Sequence, residues 1–232
     1  EIIFLPRILQ LLEREMPLAP LSAVSLSPDA IARGMEAGTI DLAVGYFPNL
    51  GGQSFKQQVL FRDSYACLIR ADHPIQSRQL TLEQFRRLEH AVVRVESRTE
   101  EVMERFLARR RIVRKVRLTT PHFASTPLVV AQSDLVVTVP VPLARHYATM
   151  AANVRIIELP FQPPSIDLKQ FWHRRFDKEP RNQWLRSRLF AITVGLAVAG
   201  FAAFLTFYVW FQRERGVGAL FLALAAVVPP VL

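Results

Sequence analysis

The chain of 232 residues holds a single cysteine, Cys67, so no disulfide can form within it. That excludes a disulfide-stapled scaffold and fits a reducing compartment. Cys67 lies in the apolar run Tyr65-Ala66-Cys67-Leu68-Ile69, which predicts a buried thiol in a strand rather than a nucleophile. The five histidines are scattered, and none has a second histidine or a cysteine at zinc-ligand spacing, so no metal site is expected. The sequence has no Gly-x-Ser-x-Gly elbow, no phosphate loop, no His-Glu-x-x-His pair and no Cys-x-x-Cys. These absences exclude the common hydrolytic, nucleotide-dependent and thiol-redox chemistries. Neither an enzyme nor a cofactor is expected. Internal repeats and low-complexity segments are also missing, which excludes solenoids and disordered tracts.

Negative charge is in short supply: 20 acidic residues face 29 basic ones, giving a net charge of +9. Such a balance invites a nucleic-acid reading. Its distribution argues otherwise. One cluster is Arg105, Arg109, Arg110, Arg111, Arg114, Lys115 and Arg117, where a helix ends and a strand begins, and it reads as a solvated helix end. The other is Arg174, Arg175, Lys178, Arg181, Arg186 and Arg188, directly before an apolar tail. Neither is interleaved with the aromatics that single-strand binders stack on bases. The tail itself, residues 189–211, carries no charge and has the length a membrane-crossing helix needs. The basic residues ahead of it fit a cytoplasmic flank, so a cytoplasmic domain anchored to an inner membrane is one expectation. A second apolar run, Val217 to Leu232, would follow as a truncated segment. The opening Glu1-Ile2-Ile3-Phe4 shows no secretory signal pattern, and both ends read as cut.

Between these ends the pattern is α/β. Leu5 to Glu15 has apolar positions at helical spacing with an early proline, and Pro17 and Pro20 close it. Ser22 to Ser27 alternate as a short strand. Ser27-Pro28-Asp29 caps a helix that Gly38 ends. Ile40 to Gly45 is a nearly continuous apolar run, as in a strand of a parallel sheet buried on both faces. Strands are expected at Gln57 to Phe61 and Ser64 to Arg70, then a capping box at Thr81-Leu82-Glu83-Gln84. A strand at His90 to Val95, a helix at Thr99 to Arg110 and a strand at Lys115 to Thr119 follow. After a helix at Ala124 to Gln132 and a strand at Leu135 to Pro140 comes a helix from Pro142. Strands at Val154 to Leu159 and Asp167 to Trp172 precede a last helix near Pro180.

Three predicted helix starts carry the candidate site: Glu1 to Phe4, Ser97-Arg98-Thr99, and His122-Phe123 after Pro121. Helix N-termini offer unpaired backbone donors and a positive dipole end, and in open α/β sheets ligands sit beyond the carboxyl ends of the strands. Converging there, the three would suit a small anion, above all a carboxylate. Ordinary capping explains any one of them equally well. His73, His90, His146 and His173 read as turn, surface or structural residues.

The runs Glu1-Ile-Ile-Phe-Leu-Pro-Arg7, Ile40 to Gly45, Leu60 to Cys67, Arg70 to Pro74, Thr81 to Phe85, Pro121-His122-Phe123 and Ser133 to Pro140 occur in a telling order, as do Phe171-Trp172-His173 and Asn182 to Arg186. Together they resemble the effector-binding domain of LysR-type transcriptional regulators, in the branch of the NodD-like and salicylate- or nitrotoluene-responsive activators. The resemblance covers residues 1 to about 190 and implies a periplasmic-binding-protein type 2 fold of two Rossmann-like subdomains. Subdomain I would take about 1–70 and 143–188 and subdomain II about 71–142, with crossovers near Arg70 to Pro74 and Pro140 to Pro142. A small-molecule effector, a carboxylate by this reading, would lie in the cleft between them. Glu1 and Phe4 match one cleft edge, Ser97, Arg98 and Thr99 a helix start on the second subdomain, and His122 and Phe123 its Pro-His-Phe loop. Similar domains self-associate as dimers or tetramers. DNA would be reached only through an N-terminal winged helix-turn-helix, which this sequence does not contain, and the family's first strand is missing with it. The apolar tail is foreign to the family. Two other readings stay open: a membrane-tethered solute-binding module, and a truncated or fused gene product.

Overall fold

The computed structural model describes residues 2–48, 50–94, 99–151 and 153–195, with no side chains given for 99–101. Contacts divide the chain into residues 1–192 and 193–232. The first unit is built on two sheets.

Helix α1 (Leu5–Glu15) buries Ile8 and Leu12 on one stripe, as its apolar spacing predicts. Helix α2 (Pro28–Ala37) starts where Ser27 Oγ accepts from the Ala30 amide at 3.4 Å. It ends at Gly38, whose φ of 81° lies in the left-handed region that a side chain resists. Strand β1 (Ala43–Gly45) pairs antiparallel with β8 (Ile166–His173), and β8 pairs antiparallel with β2 (Phe55–Asp63). The order of this sheet is β1-β8-β2. Ile31 and Met35 of α2 pack on its Ala43 and Phe171, with Phe47 and Leu50 closing the cluster.

Residues 22–27 do not form the expected strand: they are non-helical and mostly exposed, with Val24 at 60%. Among the described residues no strand lies beside them to supply ladder hydrogen bonds, and alternation alone cannot make a strand.

The second sheet has five strands in the order β5-β4-β6-β3-β7. Strand β4 (Glu89–Val93) is parallel to β5 (Lys115–Thr120) and to β6 (Val136–Pro140). Strand β3 (Tyr65–Arg70) is antiparallel to β6 and to β7 (Val154–Ile157). Helix α3 (Leu82–Arg87) opens with the expected capping box, Thr81 Oγ1 accepting from the Gln84 amide and Gln84 Oε1 from the Thr81 amide. With α4 (Thr99–Arg109) it covers one face, where Phe85, Met103, Leu107 and Ile157 are buried. The other face buries Leu68, Val130, Val137 and Val139 under α5 (Thr126–Ala131) and α6 (Val141–Met150). Each such side chain contributes about 2 kcal/mol.

Sheet membership moves the crossovers. The chain passes from one sheet to the other between Asp63 and Ser64 and returns between Ile157 and Ile166. The expected changes near Arg70 to Pro74 and Pro140 to Pro142 therefore fall within the five-stranded sheet and its connections, because β3 bonds to β6 and β7 rather than to β2. Strand β7 and helix α6, expected in subdomain I, also belong to the second sheet.

Residues 180–195 are helical. Leu189 and Ile192, which open the charge-free stretch, are buried. Most of the expected span at 189–211, and all of Val217 to Leu232, lie outside the described residues. Among the described residues no helix is long and apolar enough to cross a membrane. The second basic cluster has another employment. Arg181 pairs with Asp41 at 2.6 Å and Arg188 with Glu15 at 2.6 Å. Arg186 lies over the Trp172 ring at 4.1 Å while pairing with Asp177 at 3.2 Å.

Candidate functional site

Of the expected site residues, Glu1, Ser97 and Arg98 lie outside the described residues, and Thr99 is the first residue of α4. Phe4 is the residue before α1, buried, with its ring stacked on Phe61 of β2 at 6.4 Å. Two residues earlier, Ile2 packs on the Leu68–Val137 cluster of the second sheet. The chain start thus touches both sheets. Phe123 packs on that same cluster.

His122 is exposed and extended, at φ −120° and ψ 120°. The helix expected from Ala124 is a 3₁₀ turn at Phe123–Ser125 followed by the short α5. A helical stretch thus begins directly after His122, with its first turn 3₁₀ rather than α. Thr126 Oγ1 and the Tyr147 hydroxyl both donate to the Phe123 carbonyl at 2.7 Å, which ties the loop to α5 and α6. Burial pushes the Tyr147 hydroxyl up to about 12, so it remains a donor at neutral pH.

Beside Phe123 lies a small cavity at the carboxyl ends of β4 and β6. Val92 and Val93 line it from β4, Thr138 and Pro140 from β6, and Tyr65 from the start of β3. Met103 of α4 and Arg114 complete it. Its free space is about 10 Å³, room for one water.

Arg114 departs most from expectation. The sequence groups it with a solvated helix end, yet its side chain is only 7% exposed. Its Nη2 donates to Glu104 of α4, whose side chain is 41% exposed. Its Nε is buried and finds no partner among the described residues. The rest of the cluster behaves as expected: Arg109, Arg110 and Arg111 are exposed, with Arg110 over the Phe106 ring at 5.0 Å.

Two more polar groups sit under the same sheet. Cys67 is fully buried, its Sγ 3.4 Å from Thr138 Oγ1, and burial pushes the thiol up to about 12. The buried-thiol reading holds. Of the surface and structural readings open for His90, the structural one holds. It is fully buried, its Nε2 donating to the Phe85 carbonyl at 2.7 Å, while Nδ1 has no partner among the described residues. Desolvation lowers its pKa to about 4. His73 is also buried, accepting from the Ile75 amide at 3.1 Å in the turn expected of it. His173 ends β8 as expected, accepting from the Arg175 amide at 3.3 Å. Among the described residues no group of three metal-ligating side chains occurs.

Residues 2–191 match the family described as the LysR substrate binding domain, which is most of the chain. The chain belongs to that family. Among curated relatives, this LysR domain is 34% identical over 190 residues to the HTH-type transcriptional activator NahR of Pseudomonas putida. That alignment covers 82% of the chain and 63% of the relative. It is 32% identical over 186 residues to the HTH-type transcriptional activator NagR of a Ralstonia species, covering 80% and 61%. The LysR domain therefore spans about three fifths of the length of these relatives. These relatives are transcriptional regulators, not enzymes. Among solved structures, the regulatory domain of MexT, a transcriptional activator in Pseudomonas aeruginosa, is 27% identical with a TM-score of 0.69, covering 81% of this chain and 92% of that one. The α/β fold expected from the sequence is that of the family.

Nothing in local patterning marked Arg114, Tyr65, Met103 or Thr138 as neighbours. The one available signal was that Ile112 and Val113 separate Arg114 from the arginines before it, just ahead of a strand.

Proposed function

We propose that this domain is the sensing part of a LysR-type transcriptional regulator and that it responds to a small carboxylic acid, aromatic in the leading case, held between its two sheets. The observation that supports the reading is that Phe123 borders the cavity at the carboxyl ends of β4 and β6 and packs on the same hydrophobic cluster as Ile2, two residues before Phe4. That is the place where open α/β sheets hold ligands. The family match and the likeness to transcriptional activators support the regulatory role. In this reading the domain self-associates, and the acid prefers one relative orientation of the two sheets. Occupancy then shifts the population of that orientation and, through the oligomer, the geometry of DNA-binding domains. A ligand achieves this only by binding the two arrangements unequally.

Calorimetric titration of the chain with salicylate, benzoate and short aliphatic acids tests the reading. The expected result is saturable binding of at least one acid, weakened in His122→Ala. Absence of binding by every acid in the series would sink the sensor reading. Undiminished binding by His122→Ala would remove that residue from the site.

A further inference from the structure

The guanidinium of Arg114 has more donors than the protein around it satisfies. Arginine carries five N–H donors and no acceptor, and buried polar groups in folded proteins are paired. Glu104 takes a donor at Nη2, whereas the buried Nε has no acceptor among the described residues. The cavity against which Arg114 lies is otherwise apolar on the side of Val93, Met103 and Phe123. Thr138, which also lines the cavity, is already engaged with Cys67, and the raised thiol stays neutral, so neither supplies a counter-charge. Among the described residues Glu104 is the acid paired with the cation, and its side chain reaches solvent.

We propose that Arg114 anchors the effector's carboxylate and that Glu104 is the internal acid which the effector displaces. The proposal rests on the reading of the domain as a sensor of small acids. The free space that Arg114 lines admits a single carboxylate oxygen, and the rest of the acid would extend past Phe123 toward the His122 loop. Arginine meets carboxylates through two parallel N–H···O bonds, which Nε and a neighbouring Nη offer together. Two carboxylates crowded on one guanidinium repel each other, so the half-exposed Glu104 turns out to solvent. Because Glu104 sits on α4, the exchange also reports occupancy to that helix.

The test is calorimetric titration of the full chain with salicylate, and with phenol as a ring lacking the carboxylate. Arg114→Met should weaken salicylate about 10- to 150-fold, the range a charge-assisted hydrogen bond represents, and leave phenol unchanged. Glu104→Gln should tighten salicylate severalfold, because the competing acid is gone. Thermal unfolding of each variant reports whether it is folded. A folded Arg114→Met that binds salicylate within about twofold of wild type overturns the anchor, and the cavity then holds water only. Should Arg114→Met not fold, Arg114→Lys and Glu104→Gln decide, and an unchanged or weaker affinity in Glu104→Gln overturns the exchange. Wild-type binding with unaltered variants defeats the anchor alone. A wild-type chain that binds no small carboxylate defeats the sensor reading and the anchor with it.

Discussion

Replacing His90 by glutamine should remove most of the acid sensitivity of the domain between about pH 7 and about pH 5. The imidazole is fully buried, packed edge-to-face on Phe85 with ring centroids 4.6 Å apart and Nε2 bonded to the Phe85 carbonyl. Desolvation holds its pKa at about 4, against 6.5 in the unfolded chain. The unfolded state therefore takes up a proton more readily than the folded one. The stability tied to the neutral ring is complete above the unfolded value, declines as the pH falls below it, and is gone beneath the folded value. A displacement of that size corresponds to about 3 kcal/mol in full, of which about 2 kcal/mol is lost by about pH 5. Glutamine can still donate to the Phe85 carbonyl but does not titrate in this range. Urea unfolding of wild type and His90→Gln across that range, with the difference between them read at each pH, measures the effect. His73, lowered by the same desolvation, contributes equally to both proteins and cancels in the difference. Asp177 is held at about 2 by Lys56 and Trp172, so its contribution lies at lower pH. If the two proteins lose the same free energy, acid does not act through the buried imidazole and the reasoning is wrong.

Cys67 should resist a thiol reagent in the folded domain and react at the rate of a free thiol once urea unfolds it, because burial both shields the sulfur and keeps it protonated. Stopped-flow labelling with a chromogenic disulfide, in buffer and in urea, checks this, and rapid labelling of the native chain would contradict it. Thr81→Ala should cost about 1 kcal/mol in denaturant unfolding, since the Gln84 amide loses its acceptor at the start of α3.

Local chemistry was legible wherever one residue type settles one backbone geometry. Ser27-Pro28, Gly38 and the Thr81–Gln84 box all act within a few residues, and each is found where its pattern implies. The apolar runs likewise announced β3 and β6, which are buried on both faces. What the sequence could not convey is which element each strand bonds to. Residues 22–27 keep the alternation of a strand and expose Val24 and Leu26, because alternation specifies a face and not a neighbour. The crossovers moved for the same reason: β3 continues from β2 in sequence but bonds to β6 and β7. Arg114 is the sharpest case. Counted among seven basic residues it looked solvated, and its true environment comes from Glu104 ten residues earlier on α4 and from β3, β4 and β6. A charge run read along the chain averages over the one member that turns inward, and an inward-turned arginine with a buried, unpaired Nε is where a small acid would find its partner.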